Sequence, residues 1–371
     1  MNPGRKAALD ALNRCFVNGA WASQTLDSLI NKNSLSPRDA ALATRLTVGV
    51  IQNYALLDFW IESFCRTAPD MEVRNILRLG MYQLKLCDRI PKSAAVNESV
   101  ELAKSSGFKS AAGLVNAVLR RASERELPEP EDPCLKFSQS PWFFEKMSSL
   151  KGEEFALALL KANNEEAPVE KRRAFASGEE YVQDGAAFEA VLMAEPKPGM
   201  RVLDCCSAPG GKSFTSAVLM ENRGEILSCD ISSRKLRLVE EGAERLGIEI
   251  IKTRAMDAKL FCPELEQGFE LVIADVPCSG FGVMRKKPEI RFKTREEIKP
   301  LPEIQKAIAR NVSRYVKIGG RLLYSTCTVF PEENEEVSRS IAGFEILKEK
   351  TFYPNVDGTD GFYAAVLERK E

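Results

Sequence analysis

Three segments in the second half of the chain carry residue types able to do covalent chemistry: Asp204-Cys-Cys-Ser-Ala-Pro-Gly-Gly-Lys-Ser213, Asp275-Val-Pro-Cys-Ser-Gly280 and Ser325-Thr-Cys327. Each follows an apolar run that reads as a strand. All three are therefore expected at the carboxyl-end edge of one parallel sheet, where open α/β sheets hold their ligands. Two thiols, Cys278 and Cys327, then stand beside a glycine-rich turn of nucleotide-binding type. That layout suits covalent chemistry on a base better than hydride or phosphoryl transfer.

The sequence contains no histidine. Its absence excludes Ser-His-Asp and Cys-His triads, His-Glu-x-x-His zinc hydrolysis and imidazole acid–base catalysis, leaving carboxylates, lysines and thiols. Ten cysteines are scattered without a Cys-x-x-Cys pair, so neither a metal site nor a redox dithiol is expected. Cysteine is among the most buried residue types and most copies are inert. Cys15, Cys65, Cys87, Cys134, Cys205, Cys206, Cys229 and Cys262 are read that way, whereas Cys278 and Cys327 follow strands on the ligand edge.

Ala208-Pro-Gly-Gly-Lys-Ser213 ends like a P-loop, but the first glycine of that motif falls on Cys206, and no Gly-x-Gly-x-x-Gly is present for a dinucleotide. What remains is a Gly210-Gly211 turn suited to close approach of an uncharged or zwitterionic ligand. The second strand ends in Asp230, placed to accept both hydroxyls of a ribose, and the third leads to Asp257, placed to accept from an adenine amino group. Acidic residues at successive strand ends make S-adenosylmethionine the best account. Cys206, Ser207, Ala208, Pro209, Gly210, Gly211, Lys212, Asp230, Arg234, Asp257 and Asp275 are the expected cofactor contacts.

Cytosine C5 is a poor nucleophile, and methylation there needs a thiolate to add at C6 and form a transient enamine, splitting one hard step into two. A free thiol, with a pKa of about 8.5, needs a nearby positive charge or a helix N-terminus to ionise readily. Lys212, Arg285 and the helix dipole after a strand end are the available helpers. Asp275 is placed to hold or protonate the N3 edge, and a second thiol or carboxylate could assist release.

These groups need a scaffold. From Met200 onward, strands over Arg201–Cys205, Glu225–Asp230, Ile248–Lys252, Glu270–Ala274 and Gly320–Tyr324 alternate with helical patterns such as Ser233–Leu246 and Glu303–Val316. Such alternation implies right-handed βαβ units and a doubly wound sheet, with Phe344–Lys348 and Phe362–Leu367 as a closing antiparallel pair. Residues 4 to 126 read as helix after helix: Ala111, Leu114, Val115, Val118 and Leu119 form one apolar stripe, Val73, Ile76, Leu77 and Leu84 another. Ser36-Pro37 marks a helix start. The expected organisation is an all-α domain over 1–126, a proline-rich linker over 127–136, a helical connector over 137–186 and an α/β domain over 187–371.

Apolar residues make up 44% and charged residues 28% of the 371, near globular averages, and the net charge is −1, so no global electrostatic signature of a nucleic-acid binder exists. Any such footprint must be local. Met284-Arg-Lys-Lys-Pro-Glu-Ile-Arg-Phe-Lys-Thr-Arg295 packs six cations into twelve positions, and Arg285, Lys286, Lys287 and Arg291 are expected to grip phosphates flanking an extruded cytosine, with Phe281 and Phe292 able to stack on bases. No apolar stretch approaches a membrane-spanning length and the start lacks a secretory segment, so a cytoplasmic protein, expected to be monomeric, is read.

Asp275-Val-Pro-Cys-Ser-Gly-Phe-Gly-Val-Met-Arg-Lys-Lys-Pro-Glu289, with Tyr324-Ser-Thr-Cys-Thr-Val-Phe-Pro-Glu-Glu-Asn334, resembles the paired signatures of the Sun/RsmB family of RNA cytosine-C5 methyltransferases. Arg74-Asn-Ile-Leu-Arg-Leu-Gly-Met-Tyr-Gln-Leu84, Ala94–Ala103 and Gly113–Arg121 resemble a NusB-like RNA-binding domain. The resemblance implies an all-α NusB-like domain followed by a Rossmann-like methyltransferase sheet, S-adenosylmethionine as cofactor and 16S ribosomal RNA as substrate. It further implies Cys327 as nucleophile, Cys278 as the promoter of product release, and Lys212 and Asp275 as contacts to the base. Family members of this type carry a small RNA-binding subdomain after the position of Asn163; here only the short basic stretch Glu170-Lys-Arg-Arg173 stands there. Glu289, Phe292 and Ser207 replace the usual aspartate, tryptophan and alanine. A non-catalytic RNA-binding or assembly factor that kept the fold is the competing reading, set against the intact Cys278, Cys327, Asp275 and Lys212. A nucleotide-dependent oxidoreductase is disfavoured by the missing glycine fingerprint.

Overall fold

Short β-branched runs that cannot bury both faces alone are laid side by side in the computed structural model, which describes residues 2–174 and 179–371. Two compact units result: residues 1–165 with 284–292, and residues 166–283 with 293–371.

The first unit is helical. Helices α1 (Pro3–Asn18), α2 (Ala22–Lys32), α3 (Pro37–Gln52), α4 (Tyr54–Glu62), α5 (Met71–Lys85), α6 (Lys92–Ser105) and α7 (Ala112–Ser123) enclose a core that includes Leu9, Leu12, Leu46, Val50, Leu57, Ile76, Leu77, Val115 and Leu119. Ser36 caps α3 as expected, its hydroxyl accepting from the Asp39 amide at 3.2 Å. Gly49 lets two helices approach: a Cβ there would fall 2.1 Å from the Tyr82 ring. The stripe on α7 differs from expectation. The helix begins at Ala112, after a short 3₁₀ turn over Lys109–Ala111, so Ala112, Val115, Val118, Leu119 and Ala122 face inward and Leu114 is 41% exposed.

The proline-rich stretch is fixed to this unit by the Trp60 indole, which donates to the Pro128 carbonyl at 2.8 Å, and the linker expected over 127–136 contains the whole of α8 (Pro133–Lys136). Then α9 (Pro141–Lys151) and α10 (Glu153–Ala162) follow within the same unit. Met284–Phe292 also belongs to it, and the cause is Arg291. Its side chain is 2% exposed and donates to the carbonyls of Gln52 at 2.7 Å, Phe137 at 3.1 Å and Asn163 at 2.8 Å, while Phe292 packs edge-on against Phe16 and Tyr54. Arg291→Met is therefore expected to cost about 2–4 kcal/mol, because it strands several buried carbonyls; a thermal melt checks it.

The second unit opens with a hairpin not anticipated from sequence. Strand β1 (Lys171–Arg173) pairs antiparallel with β2 (Glu180–Val182), the basic stretch being neutralised in part by the Lys171–Glu180 ion pair at 3.0 Å. Residues 175–178, inside the connector expected over 137–186, lie outside the described residues. Helix α11 (Gly185–Ala194), capped by Asp184, leads into β3 (Arg201–Asp204), α12 (Gly211–Leu219), β4 (Glu225–Asp230), α13 (Ser233–Leu246), β5 (Ile251–Ala255) and β6 (Phe269–Asp275). Then come α14 (Arg295–Ile298), α15 (Leu301–Val312), β7 (Val316–Thr326), α16 (Glu335–Ser338), β8 (Phe344–Phe352), α17 (Pro354–Asp357) and β9 (Phe362–Arg369).

Among the described residues, seven strands form one sheet in the order β5-β4-β3-β6-β7-β9-β8. The first five are parallel and β9 runs antiparallel to both β7 and β8, as the closing pair was expected to do. Helix α13 shows why such elements form: Leu236, Val239, Ala243 and Leu246 make one buried stripe, and Gly247 ends the helix at φ 67°. Several boundaries moved, β7 starting at Val316 rather than Gly320 and β8 ending at Phe352 rather than Lys348 among them. Strand β5 starts at Ile251 rather than Ile248, whose side chain is buried in the turn before it, and α15 stops at Val312 because Val316 already starts β7.

Candidate functional site

Strands β3, β6 and β7 are sheet neighbours in parallel register, with Asp204 opposite Ile273 and Asp275 opposite Ser325. Their carboxyl ends therefore bring the three chemical segments to one edge. The Sγ atoms of Cys278 and Cys327 lie 2.9 Å apart, and the Cys327 amide donates to Cys278 Sγ at 3.2 Å. Neither is in a disulfide.

The loop carrying Cys278 is held from several sides. The Ser279 amide donates to Glu333 Oε2 at 2.8 Å, and Gln305 Nε2 donates to the same oxygen at 2.8 Å and to the Pro277 carbonyl at 3.0 Å. The hydroxyls of Ser279 and Thr328 meet at 2.8 Å, linking the two cysteine segments one residue beyond each sulfur. Glu333 is 1% exposed, and Tyr324 donates to its carbonyl at 2.6 Å.

Lys212, on the first turn of α12, is buried. Its ammonium lies 2.6 Å from Asp275 Oδ2 and 5.0 Å from the centre of the Phe362 ring, while Ser325 Oγ donates to Asp275 Oδ1 at 2.8 Å. A carboxyl group with both oxygens fixed presents itself to a base edge in one orientation.

The Cys278 thiol is held well above its ordinary range, first by its contact with Cys327 and then by burial, so it keeps its proton and can donate it to the neighbouring sulfur. One helper proposed for thiol ionisation is not found: neither cysteine opens a helix among the described residues. Arg285 is 5% exposed and belongs to the helical unit. Elsewhere burial pushes thiols up, to about 12 for Cys15 and Cys229 and to about 11 for Cys134, in keeping with inert copies.

Next to this pair a cleft of about 180 Å³ is lined by Gln183, Asp204, Cys206, Ser207, Ala208, Pro209, Gly211, Lys212 and Asp275, among others. Gly210 takes φ 115°, a conformation that L side chains avoid, and a Cβ on it would meet the Phe214 ring at 2.4 Å. Three buried polar atoms of the cleft lining, Asp204 Oδ1, Ser207 Oγ and Gln183 Nε2, have no hydrogen-bond partner. Buried polar atoms without partners are costly, and a zwitterion carrying an ammonium and a carboxylate would satisfy them. The cleft thus fits the amino-acid end of S-adenosylmethionine. Asp230 is the last residue of β4 and Asp257 follows β5, the two carboxylates expected from sequence to meet a nucleoside. Asp230 Oδ1 accepts from the Ser232 amide at 2.9 Å and Asp257 Oδ1 from the Lys259 amide at 2.9 Å, while the exposed Arg234 lies in the first turn of α13.

Asp204 is fully buried, and burial raises its carboxyl from the ordinary value to about 7 despite the hydroxyl of Ser213 at 2.8 Å. The folded protein therefore binds this proton more tightly than the unfolded chain. The associated stability is fully present below about pH 4 and is lost as pH rises toward 7, on the order of 2–4 kcal/mol. Asp204→Asn is expected to flatten that part of the profile, to raise the melting temperature of the ligand-free protein at pH 8, and to weaken S-adenosylmethionine binding. Melts at pH 5 and pH 8, with and without the cofactor, check both.

Of the cations expected to grip phosphate, Lys286 and Lys287 are exposed, but Arg285 and Arg291 are buried. Arg291 is committed to main-chain carbonyls and is not a phosphate ligand. Phe281, packed on Phe330 with ring centres 5.0 Å apart, and Phe292 are likewise occupied by protein. Sequence reasoning missed Gln183, Glu333, Gln305 and Ser325. Glu333 left no signal, standing in the acidic run Glu332-Glu-Asn-Glu-Glu336 that reads as a solvated surface, and Gln305 reads as an ordinary helix residue.

Residues 191–341 match the family model described as 16S rRNA methyltransferase RsmB/F, and residues 2–124 match the NusB family. A Bacillus subtilis (strain 168) protein described as probable ribosomal RNA small subunit methyltransferase B is 32% identical over 99% of this chain and 98% of its own. A Klebsiella pneumoniae relative, ribosomal RNA small subunit methyltransferase B, is 27% identical over 99% and 98%. The crystal structure of a protein designated PH0851 shares the fold, with a TM-score of 0.78 at 22% identity over 100% of this chain and 99% of that one. End-to-end likeness on a helical unit and a methyltransferase sheet makes this chain a member of the RsmB/F methyltransferase family, with S-adenosylmethionine as its methyl donor.

Proposed function

We propose that the protein methylates C5 of a cytosine in 16S ribosomal RNA through a transient covalent bond from Cys327 to C6. The observation that carries this reading is the pair of cysteine sulfurs 2.9 Å apart at the strand ends beside the cleft. Cys327, as thiolate, adds to C6, and the electron pair of the C5=C6 bond moves toward C5 and the N3 edge, which Asp275 holds. Lys212, 2.6 Å from Asp275 Oδ2, orients that carboxyl group. When bound, S-adenosylmethionine supplies the electrophilic methyl group to C5. Cys278 gives up its own proton to solvent and then, as thiolate, takes the C5 proton; the C–H electron pair re-forms the C5=C6 bond and Cys327 leaves as thiolate. The names of the full-length relatives support small-subunit ribosomal RNA as the substrate class. Transfer of a tritiated methyl group from the cofactor to undermethylated small subunits, with bisulfite mapping of the product, tests the proposal. Protection of one cytosine is expected; label at another atom or base refutes it.

A further inference from the structure

We propose that Gln183 is a specificity-determining contact of the S-adenosylmethionine site, donating its carboxamide N–H to the α-carboxylate of the cofactor's amino-acid tail. The inference rests on the cofactor reading above and concerns which end of the ligand this cleft selects.

Gln183 lies just past strand β2 and is 6% exposed. Its orientation is set by a relay of hydroxyls. Tyr181 OH lies 2.9 Å from Thr215 Oγ1, and Thr215 Oγ1 lies 2.5 Å from Gln183 Oε1 and 3.0 Å from the Gly211 carbonyl. The threonine hydroxyl has one proton and the shorter contact takes it, so Gln183 accepts through Oε1. Nε2 of this cleft-lining residue is left buried and without a partner, against Gly211: a Cβ built on that glycine would lie 3.6 Å from it.

Gly211 and Lys212 open α12, a helix of nine residues, so their amides lack intrahelical acceptors and carry the positive end of the helix dipole. Gln183 Nε2 adds a neutral donor beside them. Asp204 Oδ1, also buried and without a partner, supplies an acceptor for an α-ammonium. Topology separates this end from the nucleoside. The carboxylates suited to ribose and adenine follow β4 and β5 on one side of β3, whereas the cleft is shared between β3 and β6, on the other. A donor fixed on this side reads the tail and leaves the adenosine untouched.

Two probes share the adenosine and differ in the tail. S-adenosylhomocysteine carries the α-amino acid; 5′-deoxy-5′-methylthioadenosine does not. By calorimetric titration of the full-length chain, Gln183→Leu is expected to weaken S-adenosylhomocysteine roughly tenfold or more, the loss of a hydrogen bond to a charged group, and to leave methylthioadenosine unchanged. Gln183→Glu, which sets a carboxylate against a carboxylate, is expected to lose more, again for the tailed ligand alone. Undiminished methylthioadenosine binding also reports that each variant is folded. Equal weakening of both probes, or of neither, overturns the assignment of Gln183. Failure of the wild-type chain to bind either probe would instead refute the cofactor site itself.

Discussion

Cys278→Ala is expected to leave the protein covalently attached to its RNA, in a complex that survives denaturing electrophoresis, while Cys327→Ala forms no such complex and loses turnover by roughly 10³-fold or more. The asymmetry follows from the coupling of the two sulfurs. In the free enzyme the contact with Cys327 is the leading reason that Cys278 holds its proton. Once Cys327 is bonded to C6 it no longer carries charge, and that restraint on Cys278 disappears. Cys278 can then release its proton to solvent and accept the one on C5, whose departure expels Cys327. Alanine at position 278 removes the base but not the nucleophile, so addition and methylation proceed and elimination stalls. Normal turnover by Cys278→Ala without an adduct would reverse the assignment of roles.

How much of this was readable beforehand differed by element. The parallel strands and α13 were legible because their apolar periodicity is short-range and uninterrupted: Val202 and Leu203 on β3, and Leu271 to Ala274 on β6, are buried as their pattern demands. The two cysteines were legible because each follows such a strand. The fate of Met284–Phe292 was not. A run of six cations around Pro288 looks like a solvated patch in one dimension, and nothing local reveals that Arg291 is surrounded by the carbonyls of Gln52, Phe137 and Asn163, each more than 120 positions away. Gln183 was hidden for a related reason. Its role depends on Thr215, thirty-two positions on, fixing the orientation of its amide.

Gly282→Ala is expected to lower turnover roughly 100-fold with a stability loss of about 1–3 kcal/mol. Gly282 lies in the loop that carries Cys278, its amide donating to the Cys327 carbonyl at 2.9 Å and its carbonyl accepting from the Gly361 amide at 2.8 Å. The two cysteine segments and the turn before β9 are thus tied together by main chain. A Cβ on Gly282 would fall 1.8 Å from the Gly361 oxygen and 2.9 Å from the Cys327 oxygen. No side chain is available to swing aside, so the loop itself must retreat, and it takes Cys278 with it. Displacement of a reacting group by an ångström is enough to cost two orders of magnitude, whereas most of the fold keeps its contacts. Gly113→Ala is the control: it lies in α7 with nothing within 4 Å of its added Cβ, and is expected to raise stability by about 1 kcal/mol with no change in rate. Single-turnover methyl transfer alongside thermal melts separates the two effects. A Gly282→Ala protein with wild-type rate would mean that the spacing of the sulfurs does not govern the reaction.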